Sequence, residues 1–100
     1  MKNGGHASYR VCLSAKLAAE IKQLANIATL RGKRGLFISS LETIYQRLQN
    51  DPSHFGEYRF GLPTLNLSCY IGAVQPLAVQ LAVHQEQALI FLLKVFLMGS

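Results

Sequence analysis

The sequence predicts an α+β fold in the order β-α-α-β-β-β, a small, mostly antiparallel sheet packed on a helical hairpin. Three observations lead there. The stretch from Leu65 to Met98 reads as three strands in succession, LNLSCYIGAV, PLAVQLAVH and ALIFLLKVFLM. Two amphipathic helical segments precede it, and a short β-branched and aromatic run, Tyr9 to Leu13, precedes those.

Each element has its own warrant. Tyr9 to Leu13 (YRVCL) is the candidate first strand. Ser14 offers a hydroxyl to the free amides of a helix start. From there Leu17, Ile21, Leu24 and Ala28 recur at spacings of four, three and four, one face of a helix that Gly32 ends. The turn from Arg31 to Gly35 is short and basic. In the second helix Phe37, Leu41, Ile44, Tyr45 and Leu48 share a face, and Asn50-Asp51-Pro52 stops it, because a residue before proline avoids the helical region. Two helices so closely joined form an antiparallel hairpin whose apolar stripes the sheet must cover. Pro52 to Pro63 is expected to be irregular.

The strands admit a register. With odd positions kept together, Leu65, Leu67, Cys69 and Ile71, then Leu77, Val79, Leu81 and Val83, then Leu89, Phe91, Leu93, Val95 and Leu97 form the core face. The other face gathers Asn66, Ser68, Tyr70, Gln80, His84 and Lys94, with Ile90, Leu92, Phe96 and Met98 as its apolar part. Gly72 to Gln75 and Gln85 to Gln87 are the expected hairpin loops. The last strand is apolar on both faces, as a strand with two neighbours is, so Tyr9 to Leu13 is expected beside it. A helix over Ala88 to Met98 is the alternative for that run.

One hundred residues make one domain, expected over residues 9–98, behind a flexible Gly-rich tail over residues 1–8. Half of the residues are hydrophobic, enough for a single core. Ten Lys and Arg against five Asp and Glu give a net charge of +5, which favours an acidic partner such as nucleic acid or an acidic protein, or simply keeps a small apolar chain soluble. Cys12 and Cys69 lie in apolar stretches and read as reduced, buried residues. His6, His54 and His84 are far apart and no Cys/His cluster has metal spacing, so no cofactor is expected. The first eight residues hold no apolar signal region, and the longest apolar run, Ala88 to Met98, falls short of the ~20 residues a spanning helix needs. A cytoplasmic protein without a membrane partner is the expectation.

The order of elements, the basic surplus, Asp51-Pro52, Phe55-Gly56-Glu57, the run Gly72 to Val79 and the closing Val95 to Met98 together resemble the RelE/ParE superfamily of type II toxins over residues 9–98. The resemblance implies a small sheet on a helical hairpin. It also implies either mRNA cleavage at the ribosome or poisoning of a topoisomerase, with neutralisation by an antitoxin peptide wrapped around sheet and helices. The chain departs from the nuclease pattern: the run from Cys69 to Val79 holds no Arg, and the chain closes Leu-Met-Gly-Ser where such nucleases carry Tyr or His. The charge that would stabilise a pentavalent phosphate is thereby reduced, which weakens an endoribonuclease reading.

RNA cleavage through the 2′-hydroxyl needs a base, an acid and a cation. His84 can shuttle a proton near neutral pH, Lys94 can hold a phosphate oxygen and Tyr70 can stack on a base. Against that, His84 can be a hairpin-end residue and Lys94 the solvated break that protects a sticky strand. Arg31, Lys33 and Arg34 can grip a phosphate backbone, with Arg59, His54 and Tyr58 of the linker joining such a site. They can equally be a solvated, helix-complementing loop and a core edge. An antitoxin or a second copy of the chain is expected on the partly apolar sheet face. The sequence thus predicts a toxin-like module, with mRNA cleavage as its candidate activity and RNA or the ribosome as a candidate partner. The alternatives are a catalytically inactive protein-binding or homodimerising relative and a nucleic-acid-binding module without hydrolysis.

Overall fold

Local chemistry sets the helix ends. In the computed structural model, which describes residues 8–98, strand β1 (Arg10–Cys12) runs into helix α1 (Ala15–Leu30). The Ser14 hydroxyl accepts the Leu17 amide hydrogen at 3.0 Å, the expected N-cap. At the other end Gly32 takes φ of 71°. The Lys33 N–H donates to the Ala28 carbonyl at 2.7 Å and the Gly32 N–H to the Thr29 carbonyl at 3.0 Å. That paired closure needs a left-handed residue, which glycine supplies. Helix α2 (Arg34–Asn50) follows at once, and Asp51-Pro52 breaks it into a single turn, α3 (Pro52–Phe55).

The α+β class and the element order hold, with one strand more than expected. The segment Pro52 to Pro63, expected to be irregular, forms α3 and strand β2 (Glu57–Leu62), followed by a 3₁₀ turn (Pro63–Leu65). The aromatic and apolar residues Tyr58, Phe60 and Leu62 favour the strand, a bulge at Arg59 sets Tyr58 on the helix side and Phe60 and Leu62 on the other, and the flanking Gly56 and Pro63 hid the strand. Strands β3 (Leu67–Val74), β4 (Leu77–His84) and β5 (Leu89–Leu97) complete the sheet in the order β1-β5-β4-β3-β2. Ala88 to Met98 is therefore strand, and the helix alternative falls. β1 lies beside β5 as expected and runs parallel to it; the other pairs are antiparallel.

The odd-with-odd register is corrected on two strands. The β3–β4 turn is Gln75-Pro76 alone, not Gly72 to Gln75, and it pairs Val74 with Leu77, Gly72 with Val79 and Tyr70 with Leu81. A loop of even length always sets odd positions opposite even ones. Tyr70, Gly72 and Val74 thus face the helices, while Leu67, Cys69 and Ile71 face away. In β5 the pairing steps from Leu81–Leu92 to Gln80–Lys94, leaving Leu93 as a bulge. Ile90 and Leu92 point to the core before the bulge, and Val95 and Leu97 after it. Ile90 and Leu92, expected on the outer face, are fully or almost fully buried.

Both helices lie on one side of the sheet. Leu17 and Ala28 of α1 and Phe37, Ile44 and Leu48 of α2 meet Leu77, Val79, Leu81, Val83, Ile90, Leu92 and Val95 in one core. The helix stripes read from the sequence are those that bury. Ser40 is the buried polar residue among them, and its hydroxyl donates to the Gln75 carbonyl at 2.6 Å, tying α2 to the β3–β4 turn. Burial also pushes the Tyr45 phenol above its ordinary value. The expected tail lies outside the described residues except for Ser8.

Candidate functional site

With both helices on one side, the other side of the sheet is open. The pairings Cys12–Phe91, Phe91–Ala82, Ala82–Cys69 and Cys69–Phe60 lay an apolar row across all five strands on that side. Paired residues point to one face, so the row is continuous. Phe60 is 55% exposed, Leu93 50% and Phe96 41%, so apolar surface remains in contact with solvent. A shallow cavity of about 280 Å³ opens on the row, lined chiefly by Arg59, Phe60, Cys69, Ile71, Gln80 and Leu93. Cys12 is half-buried, Cys69 is buried, and both are free thiols.

The structure does not gather His84, Lys94 and Tyr70. Lys94 is exposed on the open face opposite Gln80, its Nζ 5.5 Å from the centre of the Phe96 ring. His84 shares that face at the end of β4, where Nδ1 accepts the Gln87 amide hydrogen at 3.3 Å. Four residues of β4 separate the Gln80 row from the His84 row, about 13 Å along the strand. Tyr70 is on the opposite face, packed edge-on against Tyr58 with ring centres 5.7 Å apart. The correction to Tyr70 follows from the even length of the β3–β4 turn, which sets Tyr70 beside Leu81 on the core face.

The basic residues divide into two places. Arg31, Lys33 and Arg34 stand exposed at the helix-hairpin tip, Arg31 capping α1 and Lys33 preceding α2. Arg34 Nη1 donates to the Thr29 hydroxyl at 3.3 Å, so one of the three is engaged locally. Arg59 is the bulged residue of β2, between the Tyr58–Tyr70 and Phe60–Cys69 pairs, and its Nη1 lies 3.5 Å from Glu57 Oε1.

A further contact escaped the sequence reading. His54 Nδ1 and Asp51 Oδ2 are 2.6 Å apart on the exposed surface beside α3. The hydrogen bond to His54 holds the Asp51 carboxyl below its ordinary value. The i,i+3 spacing in Asp51-Pro-Ser-His54 was the available signal, concealed because the segment was read as irregular. Beside it the Arg47 guanidinium lies 5.2 Å from the centre of the Phe55 ring.

Among the described residues no group of three or more His, Cys, Asp and Glu side chains is placed to hold a metal ion. No described helix is long and apolar enough to cross a membrane. Comparison with protein-family models, with curated proteins and with solved structures found no match to this chain.

Proposed function

We propose that this chain is a toxin-like module of a type II toxin–antitoxin pair with a RelE/ParE-like fold, acting in the cytoplasm by binding protein rather than by cutting RNA. The observation that carries the reading is the apolar row Cys12–Phe91–Ala82–Cys69–Phe60 across the open sheet face. Exposed Phe60, Leu93 and Phe96 on and beside that row leave apolar surface that favours a cover. Exposed Arg10 and Lys94 stand on the same face, and the whole chain carries +5. The cover that fits is an acidic, amphipathic antitoxin segment, its apolar side on the row and its carboxylates towards those cations. The order of elements supports the likeness to the superfamily. Hydrolysis has less support: β3 and β4 hold no Arg, Tyr70 faces the helices, and His84 and Lys94 sit in separate rows.

Induced expression of the chain alone, followed by growth, tests this reading. Growth arrest is expected, and it persists in His84→Ala because no chemical step is assigned to that imidazole. Unimpaired growth overturns the toxin reading. Arrest that disappears in a folded His84→Ala variant overturns the protein-binding mechanism in favour of RNA cleavage.

A further inference from the structure

We propose that the helix-hairpin tip docks on an anionic phospholipid surface, with Leu30 and Leu36 entering the boundary between headgroups and acyl chains and Arg31, Lys33 and Arg34 meeting the phosphates. The contact is independent of the toxin reading, because it uses the helical layer and not the open sheet face.

Leu30, the last residue of α1, is 88% exposed, more than any other large apolar residue among the described residues. Leu36, in the first turn of α2, is 54% exposed. Neither belongs to the stripes that bury against the sheet. Between them stand Arg31, Lys33 and Arg34, all exposed. No acid interrupts the chain from Ile21 to Leu41, and Glu42 lies about 12 Å along α2 from Arg34. The three cations are therefore without a carboxylate on their own end of the two helices. Arg31 and Lys33 also border Pro76, Leu97 and Met98 around a cavity of only about 20 Å³. The end of the sheet thus adds apolar surface beside the cations and no groove.

Shape and chemistry select the occupant. A side chain as exposed as Leu30 projects from the tip. A fluid bilayer closes around a projection, whereas a folded partner needs a matching recess. The phosphates of RNA would satisfy the cations but leave both leucines in water, and the aromatic residue of the tip, Phe37, is buried and offers no ring to a base. A lipid interface takes both kinds of group: the cations reach the phosphates while the apolar side chains sit below them. The expectation of no membrane partner rests on the lack of a spanning segment, and a surface contact requires none.

Co-sedimentation of the full chain with vesicles tests the proposal, with circular dichroism as the folding control. Binding is expected to vesicles of equal parts phosphatidylcholine and phosphatidylglycerol, and not to phosphatidylcholine alone. Leu30→Ser weakens it about tenfold and Lys33→Ser about fivefold. Lys22→Ser removes an exposed cation from the body of α1 and changes binding by less than about twofold. The chain holds no Trp, so Leu30→Trp introduces a single indole, whose emission shifts to the blue on the mixed vesicles. Failure to bind the mixed vesicles overturns the proposal. So does binding that both lysine changes weaken equally and Leu30→Ser leaves intact, which would be the net charge of +5 acting alone. Capture of single-stranded RNA or polyglutamate in preference to the vesicles, indifferent to Leu30→Ser, overturns it as well.

Discussion

The Phe55 ring lies directly over Gly72: a Cβ built on Gly72 would stand 2.4 Å from Phe55 Cε2. Phe55 ends the single-turn helix α3 and Gly72 lies mid-strand in β3, so this contact seats the short helix on the sheet. It also explains why β3 turns its Gly72 side to the helices, since the space left by the missing side chain is filled by an aromatic ring. Gly72→Ala therefore overpacks the site and lowers stability by ~1–3 kcal/mol. Urea denaturation measures the loss, and Phe55→Leu in the same chain recovers part of it. Additive losses in the double variant would contradict a direct contact.

Ser40 and Gln75 give a second prediction. The Ser40 hydroxyl is buried and donates to the Gln75 carbonyl at 2.6 Å across α2 and the β3–β4 turn. Ser40→Ala leaves that carbonyl without its partner and costs ~1–2 kcal/mol in thermal or chemical denaturation. Thr43, whose hydroxyl bonds the Ser39 carbonyl one turn back on the exposed side, is the control. Thr43→Ala changes stability by less than ~0.5 kcal/mol.

These two contacts mark how far the fold was legible in the sequence. Helix ends and stripes could be read because their causes are local: Ser14 caps α1, Gly32 closes it, and Leu17, Phe37, Ile44 and Leu48 recur at helical spacing. Strand existence in β3, β4 and β5 could be read from composition. Facing depends on turn parity and on one bulged residue: any even loop, the expected Gly72 to Gln75 included, already excludes an odd-with-odd register for β3, whereas composition marks neither the fourth residue of the β4–β5 turn nor the bulge in β5. The even turn Gln75-Pro76 sets β3 against the odd-with-odd register, the β4–β5 turn of four residues, Gln85 to Ala88 rather than Gln85 to Gln87, does the same for the first half of β5, and the bulge at Leu93 returns its second half to the expected side. The candidate site inherited both errors. Tyr70 moved off the polar face, Ile90 and Leu92 moved into the core, and the row from Cys12 to Phe60 appeared only with the pairing of β2. Lys94 and His84 stayed on the outer face because β4 and the end of β5 kept their expected sides.

Asp51 and His54 supply a pH prediction. The folded-state carboxyl of Asp51 titrates below its ordinary value, chiefly through its hydrogen bond to His54. A depressed folded value means that the contribution is present above the unfolded carboxylate pKa, about 3.9, and is lost as pH falls through the folded value. The stability difference between the native chain and Asp51→Asn therefore closes on acidification below that range. A carbon-detected NMR titration of Asp51 reads the same effect site by site. In His54→Ala the Asp51 titration moves back up towards the ordinary value; an unmoved curve would assign the depression to another neighbour.

The bulge at Leu93 yields the sharpest test of the register. Pairing passes from Leu81–Leu92 to Gln80–Lys94, so β5 holds one residue more than β4 requires. Removing Leu93 restores strict alternation: Leu92 inward, Lys94 outward, Val95 inward, Phe96 outward, Leu97 inward. Every buried side chain of β5 keeps its side, and the residue lost is half exposed. The deletion is therefore expected to leave a folded chain within ~1 kcal/mol of the native stability, in the range of changes at exposed positions. Deleting Val95 instead leaves Lys94 beside Phe96, so either Lys94 takes the buried place of Val95 or Phe96 takes it and Leu97 turns outward. One side of the deletion must then present its outward residues to the core, a slip that turns a face over. The cost is that of removing large core side chains, ~2–5 kcal/mol. Heat and urea denaturation of the two deletion variants compare them directly. Equal damage from both would contradict the bulge, and with it the assignment of Lys94 and Phe96 to the open face.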